Sequence, residues 1–317
     1  MKKLFLSCIL VVLLGFLCGC EFSSNSKKVI FTTNFPCYDF VRAVVGKDSS
    51  FEVKMLLSPG EEVHDYEPTP KDIVDISKSS IFFYVGGESD EWVRKMMENG
   101  DFQQVKVLKM VDMVSTLEEE HVEGMEMEEE HVDGLENEEE IEVDEHVWTS
   151  LRNAKIILSK LVEEISLLDP EHQEMYQKNA LDYISKIEEL DASFQEIVQN
   201  AKRKELIFAD RFPFLYFVRD YDLEYYAAFP GCSSQTEASA KTVQFLIDKV
   251  KNDSVPVIFH LELSSSKIAE AISKETGVKV LEFHSAHNVS LDEFQQGITY
   301  VDLMKRNESV LKEALNS

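Results

Sequence analysis

Short apolar, β-branched runs alternate along the chain with stretches of helical spacing. Val29 to Thr33, Phe51 to Leu57, Ile81 to Val85 and Val105 to Met110 read as strands. Between them Tyr38 to Val45, Pro70 to Ser79 and Glu91 to Glu98 carry the 3.6-residue period of helices. The alternation restarts after residue 204. There Leu206 to Ala209, Tyr225 to Phe229, Val255 to Phe259 and Val278 to Phe283 read as strands. Phe212 to Asp220, Ser239 to Lys251 and Ser265 to Glu275 read as helices, and a final helix is predicted over Leu291 to Leu315. Strands alternating with helices imply βαβ units and parallel sheets. Four strand-like runs on each side predict two α/β lobes, each with a four-stranded, largely parallel sheet.

Between the lobes the pattern changes. Asp169-Pro170 is a helix-start signal, and no Gly or Pro follows until Pro213. Tyr176, Ala180, Tyr183, Ile187, Leu190, Phe194 and Ile197 recur at alternating intervals of four and three, one face of a helix. A helix from Pro170 to Lys202 would be roughly 50 Å long at 1.5 Å per residue. A coiled-coil dimer arm would show the same stripe. A strut within one chain is expected instead, because a lobe bounds it on each side. Parallel sheets place ligand crevices at the carboxyl ends of their strands, so the cleft between the lobes is the expected site.

The amino terminus reads as an export signal. Lys2 and Lys3 precede an apolar run from Leu4 to Leu17, which is short for a span of about 20 residues. Leu17-Cys18-Gly19-Cys20 resembles a bacterial lipobox, which implies acylation at Cys20. The expected organisation is a signal peptide over 1–19, a lipid-anchored tether over 20–28 and an N-terminal lobe over 29–168. A linking helix over 169–203 and a C-terminal lobe over 204–317 complete it. The mature chain would be held at the outer face of the cell membrane, and a monomer is expected. Cys37 and Cys232 are left; they could form a disulfide or remain two thiols.

The formal net charge is −27, and sixteen acidic residues with no Lys or Arg lie between Glu118 and Glu145. More than half of the excess charge is therefore one insert, assigned to 117–145. A charge of this sign disfavours nucleic-acid binding and suits a cationic ligand. Glu118 to Glu126 and Glu128 to Glu136 are copies of a ten-residue repeat, with a degraded third copy from Glu138. So dense a like-charge run is expected to be disordered. His121 and His131 could make it a weak cation collector; a merely solvated loop would look the same.

Of eight His residues, His64 follows the second strand and His146 stands where the insert meets the next helix. His260, His284 and His287 follow strands of the second half. Imidazoles converging from both halves would suit zinc, copper, iron or nickel. There is no His-Glu-x-x-His helix, no Gly-x-Ser-x-Gly elbow and no phosphate loop, so an enzyme is not expected.

The chain resembles the metal-specific substrate-binding lipoproteins of bacterial ABC importers, the zinc/manganese group. Four stretches carry the resemblance: Thr32 to Phe40, Pro59 to Pro70 around His64, Asp144-x-His146-x-Trp148, and Lys274 to Leu281. It implies two βα lobes joined by a long helix, one metal between them, and delivery of that metal to a permease. It also implies His64 and His146 as the N-lobe ligands. The second half departs from the family pattern. Phe208-Ala209-Asp210-Arg211-Phe212 lacks the usual His, and His284 stands where a carboxylate is usual. The expected set is therefore His64, His146, His284 and Asp210, with Glu237 and Glu262 as rivals to Asp210. Three imidazoles and a carboxylate suit four-coordinate Zn2+. Mn2+ or iron is the alternative cargo, and a surface adhesin lipoprotein the alternative function.

Overall fold

A computed structural model describes residues 27–47, 49–62, 66–126, 143–233 and 237–317. The signal segment with Cys20, His64, the second copy of the acidic repeat and the start of the third, up to residue 142, lie outside the described residues. Cys37 and Cys232 are both free thiols. Among the described residues no helix is long and apolar enough to cross a membrane.

The first lobe is built from β1 (Lys28–Thr32), α1 (Phe35–Val45), β2 (Phe51–Met55), α2 (Pro70–Ile76), β3 (Ile81–Tyr84), α3 (Glu91–Asn99) and β4 (Lys106–Lys109). Its strands pair in the order β2-β1-β3-β4, all parallel. After the insert come α4 (Leu151–Leu168), a 3-10 turn (Pro170–His172) and α5 (Gln173–Gln199). The second lobe contains β5 (Glu205–Arg211), α6 (Leu215–Tyr221), β6 (Glu224–Phe229), α7 (Ala240–Asn252), β7 (Val257–His260), α8 (Lys267–Thr276) and β8 (Lys279–Glu282). The order β6-β5-β7-β8 repeats that of the first sheet, again all parallel.

Side-chain caps set the helix starts. The Asn34 side chain accepts from the Cys37 N–H, and Thr69 with Asp72 forms a reciprocal capping box ahead of Pro70. The final helix expected over Leu291 to Leu315 is instead two, α9 (Leu291–Gln296) and α10 (Tyr300–Asn316). Gly297 ends the first in the left-handed region (φ 74°), and Thr299 with Asp302 caps the second.

The linking helix α5 is about 40 Å long at 1.5 Å per residue, shorter than expected because its first turn is the separate 3-10 element and it ends at Gln199 rather than Lys202. All seven residues of the stripe from Tyr176 to Ile197 are buried within the chain. Each fully buried Ile, Leu or Phe there contributes roughly 1.5–3 kcal/mol. Ile30 and Phe83 of the first sheet share one continuous apolar core with Ile187 and Phe194 of α5 and Phe208 and Phe259 of the second sheet. Buried Asp39 fastens three helices together. It pairs with Arg42 of α1, accepts from the Tyr183 hydroxyl of α5 and accepts from the Tyr300 N–H of α10 at 2.8 Å.

The described start of the insert differs from expectation. Glu118 bridges antiparallel to Val143, pinching the base of the insert. From there the chain crosses to the second lobe. The Glu126 N–H donates to the Ala228 carbonyl at 2.9 Å, and the Glu120 carboxylate pairs with Arg219. Met125 is buried, and Val122 packs against the core. These two apolar positions of the repeat outweigh the like-charge repulsion that predicted disorder for this first copy.

Candidate metal centre

His146 directly precedes a short 3-10 segment (Val147–Thr149) between the insert and α4, and is fully buried. Its N–H donates to the Asp144 carboxylate at 2.8 Å, and its ring Nδ1 lies 3.1 Å from the same oxygen. An acceptor there favours the tautomer with the proton on Nδ1, which leaves the Nε2 lone pair free to ligate. Burial lowers the His146 pKa, but the Asp144 and Glu145 carboxylates more than offset it and raise it overall. Nε2 is buried with no hydrogen-bond partner among the described residues. Gly231 makes room for the ring: a Cβ there would lie 3.1 Å from His146 Cε1 and 3.0 Å from the Phe212 carbonyl.

The facing donor comes from the loop after β8. His287 is buried, and its ring centroid is 5.3 Å from that of His146. Its N–H donates to Glu262 Oε1 at 3.2 Å, and its carbonyl accepts from the Phe35 N–H at 3.3 Å. Glu262 organises this loop further, accepting from the Ser285 N–H at 2.7 Å and the Ser285 hydroxyl. Burial pushes the Glu262 carboxyl up to about 7, despite those donors. Trp148 joins the two segments: its indole N–H donates to the Ser285 carbonyl at 2.9 Å, and its ring lies 4.9 Å from His287 and 5.2 Å from His146.

Glu145 completes the cluster. One ligand atom from each of Glu145, His146 and His287 lies within 4.8 Å of the others, and all three residues are buried. The Glu145 carboxylate accepts from the Ser89 N–H at 3.0 Å and the Ser89 hydroxyl at 2.6 Å. Beside it, burial and then the charge of Glu145 push the Asp90 carboxyl up to about 7. His146, His287, Glu61, Glu62, Glu262 and Arg211 are among the residues lining a cavity of about 30 Å3 between the lobes. That is room for an ion.

The expected quartet is thus only partly assembled. His146 is in the cluster, and His64 lies outside the described residues. His284 is not brought in. Its Nδ1 accepts from the Ala286 N–H at 2.9 Å and lies 3.4 Å from Glu262 Oε1; burial holds its pKa down at about 4. Its backbone is braced by Asn307 at 2.8 Å on both sides. Asp210 is not brought in either. It is engaged by the Arg211 N–H at 2.8 Å, the Leu261 N–H at 3.0 Å and the Ser264 hydroxyl, so it ties the end of β5 to the end of β7. Of its two rivals, Glu237 is exposed and Glu262 lines the cavity. His287 and Glu145 were the residues the sequence underweighted. The available signal was weak: one lies three residues past His284, the other directly before His146.

A sequence-family profile described as ZnuA, zinc-uptake complex component A periplasmic, matches residues 30–314. The high-affinity zinc uptake system protein ZnuA of Bacillus subtilis (strain 168) is 34% identical over 300 residues, 94% of this chain and 90% of its own length. The zinc-binding lipoprotein AdcA of Streptococcus pneumoniae is 30% identical over 297 residues; the match spans 93% of this chain but 57% of that one. Among solved structures, the Zn(II)-bound ZnuA-like domain of Streptococcus pneumoniae AdcA superposes with a TM-score of 0.74 at 28% identity. That alignment covers 92% of this chain and 100% of that domain.

Proposed function

The chain belongs to the ZnuA family of zinc-uptake components, and from that premise we propose that it captures Zn2+ outside the cytoplasm and passes it to an ABC permease. His146 and His287 would hold the ion through imidazole nitrogen, with the Glu145 carboxylate beside them. His64 is proposed as a further ligand on its sequence motif alone. The observation that carries this reading is the buried, unpartnered Nε2 of His146 on the wall of an ion-sized cavity. Burying a polar nitrogen without a partner is costly, and an ion would relieve that cost. Imidazole donors favour Zn2+ over Mn2+, which prefers oxygen. We read the protein as a carrier rather than a hydrolase, because the family it belongs to is one of zinc-uptake components. Acylation of Cys20 would keep the carrier at the membrane surface.

Equilibrium competition against a chromophoric zinc chelator tests the assignment. One zinc per chain is expected. His146→Ala and His287→Ala should each weaken binding by more than the roughly 10–100-fold typical of a lost supporting group. His284→Ala should fall short of both. Unchanged affinity in His287→Ala would remove that residue from the shell.

A further inference from the structure

On the far side of the same cavity the two lobes are joined by a charge pair that the zinc reading does not use. Arg211 ends β5 of the second lobe, and Glu62 lies in the loop after β2 of the first. The guanidinium meets the carboxylate fork to fork, Nη1 to Oε1 at 3.3 Å and Nη2 to Oε2 at 3.0 Å. The Arg211 side chain is 12% exposed and that of Glu62 38%. Both line the cavity that holds His146 and His287. The same loop is fixed a second time: Asn288, next to His287, donates from Nδ2 to the carbonyls of Ser58 at 2.9 Å and Glu61 at 2.8 Å. The Glu62 carboxylate is therefore held at the cavity wall by a C-lobe cation, on a loop that the C-lobe also anchors.

A carboxylate with both oxygens engaged by one guanidinium is a poor metal ligand until that cation leaves. We propose that Arg211 is a specificity-determining residue: by occupying Glu62 it keeps a carboxylate oxygen out of the ion's shell and leaves the imidazoles to choose the metal. The inference rests on the carrier reading and on the same cavity. Its chemistry is directional. A Glu62 no longer held by Arg211 offers a hard, anionic oxygen, the donor that Mn2+ favours and that matters less to Zn2+. Removing the positive charge of Arg211 also strengthens binding of any divalent cation through simple electrostatics. The diagnostic quantity is therefore the ratio of the two affinities, from which a uniform charge effect cancels.

The experiment measures Zn2+ and Mn2+ dissociation constants by chelator competition on the full chain and on Arg211→Ala, Arg211→Lys and Glu62→Gln/Arg211→Ala. In Arg211→Ala the preference for Zn2+ over Mn2+ should fall by about tenfold, the lower end of the effect of an outer-shell partner. Arg211→Lys keeps the charge but not the fork, and should shift the ratio the same way by less. Adding Glu62→Gln should restore the ratio, since the amide is a neutral and weaker ligand. A ratio within twofold of the parent in both Arg211 variants overturns the proposal. So does a shift that persists in the double variant. Failure of the parent to bind zinc would be a different result, and would remove the carrier reading itself.

Discussion

The two lobes share a strand order, β2-β1-β3-β4 against β6-β5-β7-β8, yet they present their imidazoles by different means. In the first lobe a carboxylate grips the ring: Asp144 contacts both the N–H and Nδ1 of His146. In the second lobe a carboxylate grips the backbone: Glu262 gathers the N–H groups of Ser285 and His287 and so shapes the loop that carries the ring. The equivalent first-strand ends differ too. After β1, Asn34 caps a helix, whereas at the end of β5, Asp210 ties down the loop after β7. Repetition of the fold therefore does not repeat the chemistry, which is set loop by loop on a common scaffold.

Substituting the two gripping carboxylates separates these mechanisms. Asp144→Asn removes the charged acceptor that fixes the ring tautomer, and zinc affinity should fall by about 10–100-fold with little loss of stability. Glu262→Gln should act mainly on the loop. An amide group would face donors that now meet an oxygen, and a lost buried hydrogen bond costs about 1–3 kcal/mol. Stability should fall by that much and zinc affinity by less than in Asp144→Asn. Calorimetry and denaturant titration on both variants read the two effects. If Glu262→Gln weakens zinc more than Asp144→Asn, the distinction between ring grip and loop grip is wrong.

The smallest expected effect lies outside the site and marks a difference in how the lobes are closed. Asp169, at the start of the link between them, accepts from Ser50, from the Tyr176 hydroxyl at 2.6 Å and lies 3.0 Å from His172 Nδ1. Burial works against its charge, but these partners outweigh it and hold the carboxyl down at about 2. A pKa below the unfolded value means that the stabilisation is complete above about pH 4 and is lost as pH falls through about 2. Asp169→Asn should therefore cost roughly 1–2 kcal/mol at pH 7 after allowance for solvent screening. The gap from the parent in urea titrations should shrink as pH falls below 4. A gap independent of pH would assign the effect to packing.

Most of the scaffold was legible in the sequence because its signals are periodic and local. The stripe from Tyr176 to Ile197 could be buried on only one side of a helix, and all seven residues are. The strands announced themselves as short β-branched runs, and Gly297 and Thr299 carried the break between α9 and α10 that apolar spacing alone hid. The site was less legible. Asp144-x-His146-x-Trp148 marks one candidate ligand, since acceptor, imidazole and indole sit at fixed spacing. Nothing periodic distinguishes His284 from His287 in an irregular loop. In the structure Asn307 and Ala286 engage the first, while Glu262 and Phe35 bond the backbone of the second. Asp210 stays out of the cluster for a related reason: the N–H groups of neighbouring Arg211 and distant Leu261, with the Ser264 hydroxyl, engage its oxygens. Charge density likewise predicted disorder at Glu118 to Glu126, where the apolar packing of Met125 and Val122 decided otherwise.

Anomalous diffraction at the zinc edge from crystals of the zinc-loaded protein bears most directly on the claim that one imidazole from each lobe meets at a single ion. One strong peak is expected between the lobes, about 2.0–2.1 Å from His146 Nε2 and from a ring nitrogen of His287. A peak bonded to His284 and Asp210 instead, or one confined to a single lobe, would contradict it.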